Sequence, residues 1–232
     1  MKTIGLLGGM SWESSIEYER TINQAVRERL GGSNAAELVI RSFNFDALSK
    51  LQQSGEWSEI GLILAKAAKD LENSGAGVIL ICANTMHILF DEVQESVSVP
   101  VLHVADVAGR AIVEQGVNSV LLLGTRYTME NPFYADRLRA KFGLEVTVPN
   151  ADERDIIHEV IYGELVRGVI NPQSHAKYLE ICERYIKLGV TGIIAGCTEI
   201  ELLIKQEDFT VPLFPTAKLH ALAAVDFALE QN

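Results

Sequence analysis

The sequence predicts an α/β protein of two pseudo-symmetric lobes, each a mostly parallel sheet flanked by helices, with the active site between the lobes. Three observations carry this. Short apolar runs alternate with helical patterns, the arrangement of parallel sheets covered on both faces. The chain also repeats itself: Lys2–Gly8 and Asn118–Gly124 are apolar runs whose final glycines lie 116 positions apart, Gly75–Thr85 resembles Gly189–Glu199 at an offset of 114, and Val99-Pro matches Val211-Pro at 112. Finally, each run ends in small and polar residues that open a helix, so the sheet edges carry the polar groups.

In chain order, Ser11 caps a helix through Leu30, with Glu13 in its first turn. An extended segment and a polar loop, Gln52-Gln53-Ser54-Gly55, lead to a helix over Glu59–Asn73 ended by Gly75. Further helical patterns cover Thr85–Glu95, Ala105–Gln115, Met129–Phe142, Glu153–Gly168, Gln173–Lys187, Thr198–Lys205 and Thr216–Leu229. The Val-Pro strand of each repeat closes a lobe, and the last helix packs back on the first. This gives a first lobe of residues 1–102 with 210–232 and a second of 103–209.

Composition narrows the class. The 232 residues are 48% apolar and 22% charged, as in ordinary globular proteins. Runs such as Val78–Cys82 are far shorter than the roughly 20 residues that span a bilayer. Gly8-Gly9 stops the first apolar run, leaving no signal-peptide core. The net charge of −11 and the absence of a basic run exclude nucleic acid and anionic membrane as partners. Three cysteines without C-x-x-C spacing read as free thiols in a reducing cytoplasm, with no metal. Nucleotide, zinc-protease and serine-triad motifs are missing.

Four segments end strands: Gly8-Gly9-Met10-Ser11, Cys82-Ala83-Asn84-Thr85, Gly124-Thr125-Arg126-Tyr127-Thr128 and Gly196-Cys197-Thr198-Glu199. In open α/β sheets, ligands bind beyond the carboxyl ends of the strands. Helix N-termini there offer N–H groups and partial positive charge, so a carboxylate can be held without a basic side chain. Any one segment reads as a plain strand–helix turn. The four, paired by the repeat, read as a site that includes Thr125 and Thr128. Cys197 precedes a helix, a position that lowers a thiol pKa and suits a base. Cys182 lies on an amphipathic helix and reads as core. Cys82 is one residue out of step: the 114 offset pairs Cys197 with Ala83, and adjacent strand residues face opposite sides. Cys82 therefore reads as structural. His87 is either an anion contact or a cap, His220 a satisfied helix residue, and Arg41, Arg126 and Arg167 either surface groups or contacts for a distal carboxylate.

These four segments, with Trp12-Glu13-Ser14 and Met86-His87, resemble the aspartate/glutamate racemase family over essentially the whole chain. The resemblance implies a cofactor-independent isomerase of two pseudo-symmetric lobes, often dimeric, here a homodimer, with an amino acid held between the lobes. It implies two cysteines on opposite faces of the substrate α-carbon, in Cys-Asn-Thr and Gly-Cys-Thr motifs. This sequence has the second as Cys197 and departs at the first, where Ala83 stands before Asn84-Thr85. A methyl group exchanges no protons; some relatives carry threonine there. Substrate contacts map onto Met10, Ser11, Gln52, Asn84, Thr85, Thr198 and Glu199. The expectation is a racemase of L-aspartate- or L-glutamate-like substrates, slower or more one-sided than a two-thiol enzyme. The alternatives are an arylmalonate-type decarboxylase and an amino-acid-binding protein without turnover.

Overall fold

The computed structural model describes residues 1–230. The chain forms two compact units, Met1–His103 with the segment from His220 on, and Val104–Leu219. In the first, β1 (Thr3–Gly8) leads into α1 (Trp12–Leu30), β2 (Leu38–Ser42), α2 (Phe45–Ser54), α3 (Trp57–Asn73), β3 (Ala76–Ile81), a 3-10 turn over Thr85–Leu89, α4 (Phe90–Glu95) and β4 (Val101–Leu102). In the second, α5 (Val104–Glu114), β5 (Ser119–Gly124), α6 (Arg126–Glu130), α7 (Pro132–Phe142), β6 (Glu145–Thr147), α8 (Ala151–Gly163), α9 (Pro172–Lys187), β7 (Gly192–Gly196), α10 (Ile200–Leu203) and β8 (Leu213–Pro215) follow. The last helix, α11 (Thr216–Leu229), starts in the second unit and continues into the first.

Both sheets have four parallel strands in the same order, β2-β1-β3-β4 and β6-β5-β7-β8. Each strand of one thus has its counterpart in the other, as the repeat requires. Strand parity is plain in the second unit. Leu121 and Leu123 pack with Ile193 and Ala195 against Ile157 of α8 and Tyr178, Ile181 and Cys182 of α9. Val120, Leu122 and Ile194, one residue out of step, pack against Ile112 of α5 and Tyr134 and Leu138 of α7. A sheet buried on both faces needs such unbroken apolar strands, and each fully buried leucine or isoleucine contributes about 2 kcal/mol of transfer free energy.

Several elements differ from the sequence reading. Gln52-Gln53-Ser54 is not a loop but the last turn of α2, which Asn44 caps by accepting from the Asp46 N–H and Gly55 ends in the left-handed region at φ 77°. Leu48 and Gln52, one turn apart, are its buried residues. The helix expected over Met129–Phe142 is interrupted because Pro132 has no N–H to donate; Asn131 is extended at ψ 143° and α7 starts afresh at the proline. The helix expected to Gly168 ends at Gly163, before a 3-10 turn over Leu165–Arg167. β6 has only three residues, too short for an alternation signal. Residues 210–219, expected in the first lobe, lie in the second unit, because Leu213, Phe214 and Pro215 pair with Ile193, Ile194 and Ala195.

In the first unit α11 is fastened through His220, whose ring is fully buried. Its Nε2 lies 2.9 Å from the Leu102 carbonyl, which can only accept, so Nε2 carries the proton. Nδ1 then accepts from the Tyr18 hydroxyl at 3.1 Å. Burial, then the nearby His87, holds the His220 pKa down at about 3 against an ordinary 6.5. The unfolded chain takes up this proton near pH 6.5 and the folded chain does not. This contribution to stability is therefore full above pH 6.5 and is lost as pH falls from there towards 3. Between pH 7 and 5 the wild type should lose about 2 kcal/mol more unfolding free energy than His220→Gln. Urea unfolding at both pH values checks this; equal losses would contradict it.

Candidate active site

In the first unit β1 and β3 lie side by side, Leu7 paired with Ile81, and end at the same edge. Beyond Gly8 the chain turns sharply at Gly9, with φ 81°, where a Cβ would lie 2.4 Å from the Phe43 backbone. Ser15 closes the turn: its Oγ accepts from the Gly9 N–H and donates to the Ser11 carbonyl, both at 2.7 Å. Ser11 is the N-cap residue of α1 by position, yet its side chain makes no capping bond. Met10 and Ala83 share one packed cluster with Leu7, Leu48, Ile79, Ile81 and Met86. Ser11, Gln52, Asn84 and Thr85 are buried polar residues on the same segments.

Parity places Ala83 with Ile79 and Ile81, and Cys82 out of step with them. The Cys82 thiol is fully buried and directed at the Leu80 carbonyl at 3.9 Å, and burial alone raises its pKa far above the ordinary range. His87, in the 3-10 turn, donates from Nδ1 to the Ala83 carbonyl at 3.0 Å. Its ring packs among His103, His220 and Phe90, with centroids 4.8, 5.6 and 6.4 Å away.

In the second unit β5 and β7 end together in the paired glycines Gly124 and Gly196. A Cβ on Gly196 would lie 2.6 Å from the Leu123 carbonyl oxygen, and one on Gly124 2.9 Å from that of Gly196. Only glycine lets the two strand ends approach so closely. Thr125 caps α6, its Oγ1 accepting from the Thr128 N–H at 3.2 Å, and the two threonine hydroxyls are 3.3 Å apart. Thr128 is fully buried, with Cγ2 3.1 and 3.6 Å from where a Cβ on Gly124 and Gly196 would lie. Arg126 pairs with Asp155 at 2.7 Å, and its backbone N–H donates to His158 Nδ1 at 3.2 Å. Arg41 lies over the Phe43 ring at 5.4 Å, and Arg167 is exposed.

Cys197 follows Gly196 in the same cluster as Ile193 and Ala195, as parity requires, and is 7% exposed. Its Sγ donates to Glu199 Oε2 at 2.9 Å, and Thr198 Oγ1 donates to the same oxygen at 2.8 Å. Here the structure corrects the expected thiolate. The helix that follows, α10, has only four residues, too little to supply a strong N-terminal field. Burial first, and then the Glu199 carboxylate, push the Cys197 thiol well above its ordinary range, opposed by a hydrogen bond from the Glu199 backbone N–H. Glu201, which accepts from the Ala217 N–H at 2.6 Å, is raised to about 8, mainly by burial. The contact between the thiol and Glu199 joins residues two apart in a turn, a spacing that no helix or strand period marks. Cys182 sits in the core on α9, and burial pushes it up to about 12.

Among the described residues no cluster of His, Cys, Asp and Glu is placed to hold a metal ion, and no helix is long and apolar enough to cross a membrane.

Comparison with known proteins shows the family and the fold. The family model for Asp/Glu/hydantoin racemase matches residues 7–224. The crystal structure of a candidate Asp/Glu racemase from Yersinia pestis is 44% identical, with a TM-score of 0.92 over 99% of this chain and 100% of that one. An aspartate racemase homologue from Pyrococcus horikoshii is 38% identical, with a TM-score of 0.86 and the same coverage. The broad specificity amino-acid racemase RacX of Bacillus subtilis is 21% identical over 96% of both chains.

The raised thiol makes a direct prediction. With its pKa pushed up by burial and by the Glu199 carboxylate, Cys197 rests as the thiol at pH 7. Its alkylation by iodoacetamide, followed by peptide mass mapping, should climb about ten-fold per pH unit from pH 7 to 9. A plateau already reached by pH 7 would contradict the structure.

Proposed function

Because the chain belongs to the Asp/Glu/hydantoin racemase family, we propose that it is a cofactor-independent racemase of aspartate- or glutamate-like amino acids in which Cys197 moves the α-proton. The observation that carries this is the Cys197 thiol at the carboxyl end of β7, beside a buried carboxylate that receives its S–H bond. Cys197 removes the α-proton of the L-enantiomer, and its pair of electrons stays on carbon, delocalised into the substrate carboxylate. Backbone N–H groups at the strand-end turns stabilise that charge as it grows. The buried hydroxyls and amides of Ser11, Gln52, Asn84, Thr85, Thr125, Thr128 and Thr198, with Met10, form the proposed substrate shell, while the Glu199 carboxylate is turned to the thiol.

The repeat and the family pattern give Ala83 the role opposite Cys197, so the second face has no thiol of its own. Water supplies that proton, which makes the enzyme biased towards L-substrates. A homodimer and a cytoplasmic location belong to the same proposal. The decarboxylase alternative calls for an apolar pocket at the thiol, and the buried Thr198 and Glu199 beside Cys197 disfavour it.

Proton NMR of L-aspartate and L-glutamate in D₂O tests the reading. The wild type should erase the α-proton signal of one of them, and Cys197→Ser should slow this by about 10²-fold or more. A persistent signal with wild type would favour a binding protein or decarboxylase. Cys82→Ala should cost about 1 kcal/mol of stability and keep turnover per folded molecule; loss of activity in a folded variant would make Cys82 the second base. Ala83→Cys should raise D-to-L conversion at least about ten-fold. No gain, with the variant folded, would remove position 83 from the reaction.

A further inference from the structure

We propose that Glu199 is the internal proton acceptor of Cys197, so that thiol and carboxylate share a single proton and the base is generated within the pair. The inference rests on the reading of Cys197 as the α-proton base. Two donors, Cys197 Sγ and Thr198 Oγ1, converge on one buried oxygen, Glu199 Oε2, at 2.9 and 2.8 Å. Glu199 is itself 2% exposed, so its carboxyl group is held by such bonds rather than by bulk water.

The geometry decides how the thiolate can form. Release of the thiol proton to solvent would leave two anions about one hydrogen bond apart in a buried site, which is strongly unfavourable. Transfer along the existing hydrogen bond leaves the pair with one negative charge throughout. In this step the S–H bond breaks, the O–H bond forms on Oε2, and the electron pair stays on sulfur. The Thr198 O–H and the Glu199 backbone N–H remain as donors to the pair. The thiolate then takes the α-proton: the C–H bond breaks, S–H reforms, and the electron pair passes to carbon. Water protonates the opposite face. The pair, now holding two protons, returns one to water and is restored.

The groups facing Cys197 are Glu199 and Glu201 on its own segment and Tyr178 from α9. Of these, Glu199 receives the thiol bond, while the Tyr178 hydroxyl is committed to the Ile157 carbonyl at 3.0 Å.

Glu199→Gln separates this role from a merely electrostatic or substrate-binding one. The amide keeps the shape but accepts no proton. With the neighbouring anion gone, the thiol should ionise more readily, and alkylation of Cys197 at pH 8 should speed up at least about ten-fold. Exchange of the L-aspartate or L-glutamate α-proton should nevertheless fall in kcat by about 10²-fold or more, with KM little changed. Glu199→Asp, which keeps a carboxylate, should exchange faster than the Gln variant and tests the idea if the Gln variant does not fold. Exchange kept or raised in Glu199→Gln would overturn the proposal, as would an unchanged alkylation profile. A fall seen only in KM would make Glu199 a substrate contact and overturn it too. A wild type that exchanges neither substrate would overturn the racemase reading instead; the alkylation profiles would still decide whether the two groups share a proton.

Discussion

Burial of the central strands of each sheet on both faces is the constraint from which the rest follows. Helices cover Leu121 and Leu123 on one side of β5 and Val120 and Leu122 on the other. No polar side chain fits along such a strand without an unpaired group, so polarity is pushed to the carboxyl ends. The same alternation fixes which strand-end residues share a face. Ala83 continues the row of Ile79 and Ile81, and Cys197 continues that of Ile193 and Ala195. A one-residue shift would turn each to the other side of its sheet. The glycine pair at Gly124 and Gly196 lets β5 and β7 run to their last residue in register, which places Cys197 at the first position beyond the sheet.

What surrounds that position sets the chemistry. A thiol in a dry setting beside a carboxylate is a poor spontaneous thiolate but a good proton carrier, because charge within the pair is conserved when the proton moves. In the proposed mechanism the resting group is the thiol, and reactivity is switched on by transfer over a 2.9 Å hydrogen bond rather than by a standing negative charge. A protected thiol also resists oxidation and alkylation between turnovers.

Much of this was legible in the residues. Three matching offsets encode a duplicated strand order, and both sheets carry it. The 114 offset matches Ala83 with Cys197, each of which continues the equivalent row of its own sheet, and the parity of Cys82 and the core position of Cys182 follow from strand and helix periods. Other features were illegible for definite reasons. The Gln52 segment looked like a loop because its polar residues mask the single buried turn made by Leu48 and Gln52. The break before α7 is set by one proline, and β6 is too short to show alternation. The boundary at residue 210 ignored that a closing Val-Pro strand must pair within its own sheet, as β8 does with β7. The expected thiolate is absent because α10 is a single turn with little macrodipole to stabilise it. The carboxylate that governs the thiol reaches it through side-chain conformation, which sequence spacing does not report.

The central claim is that a single thiol, Cys197, serves one face of the substrate. The most direct measurement follows deuterium in both enantiomers from the first moments of reaction of L-aspartate or L-glutamate in D₂O, using chiral separation and mass spectrometry. Because water protonates the thiol-free face slowly, the solvent-exchanged Cys197 thiol more often returns deuterium to the side it left, so deuterated L-enantiomer should accumulate well ahead of the D-enantiomer. If deuterium appears first in the D-enantiomer while the remaining L-substrate stays protiated, a second base works on the opposite face and the account is contradicted.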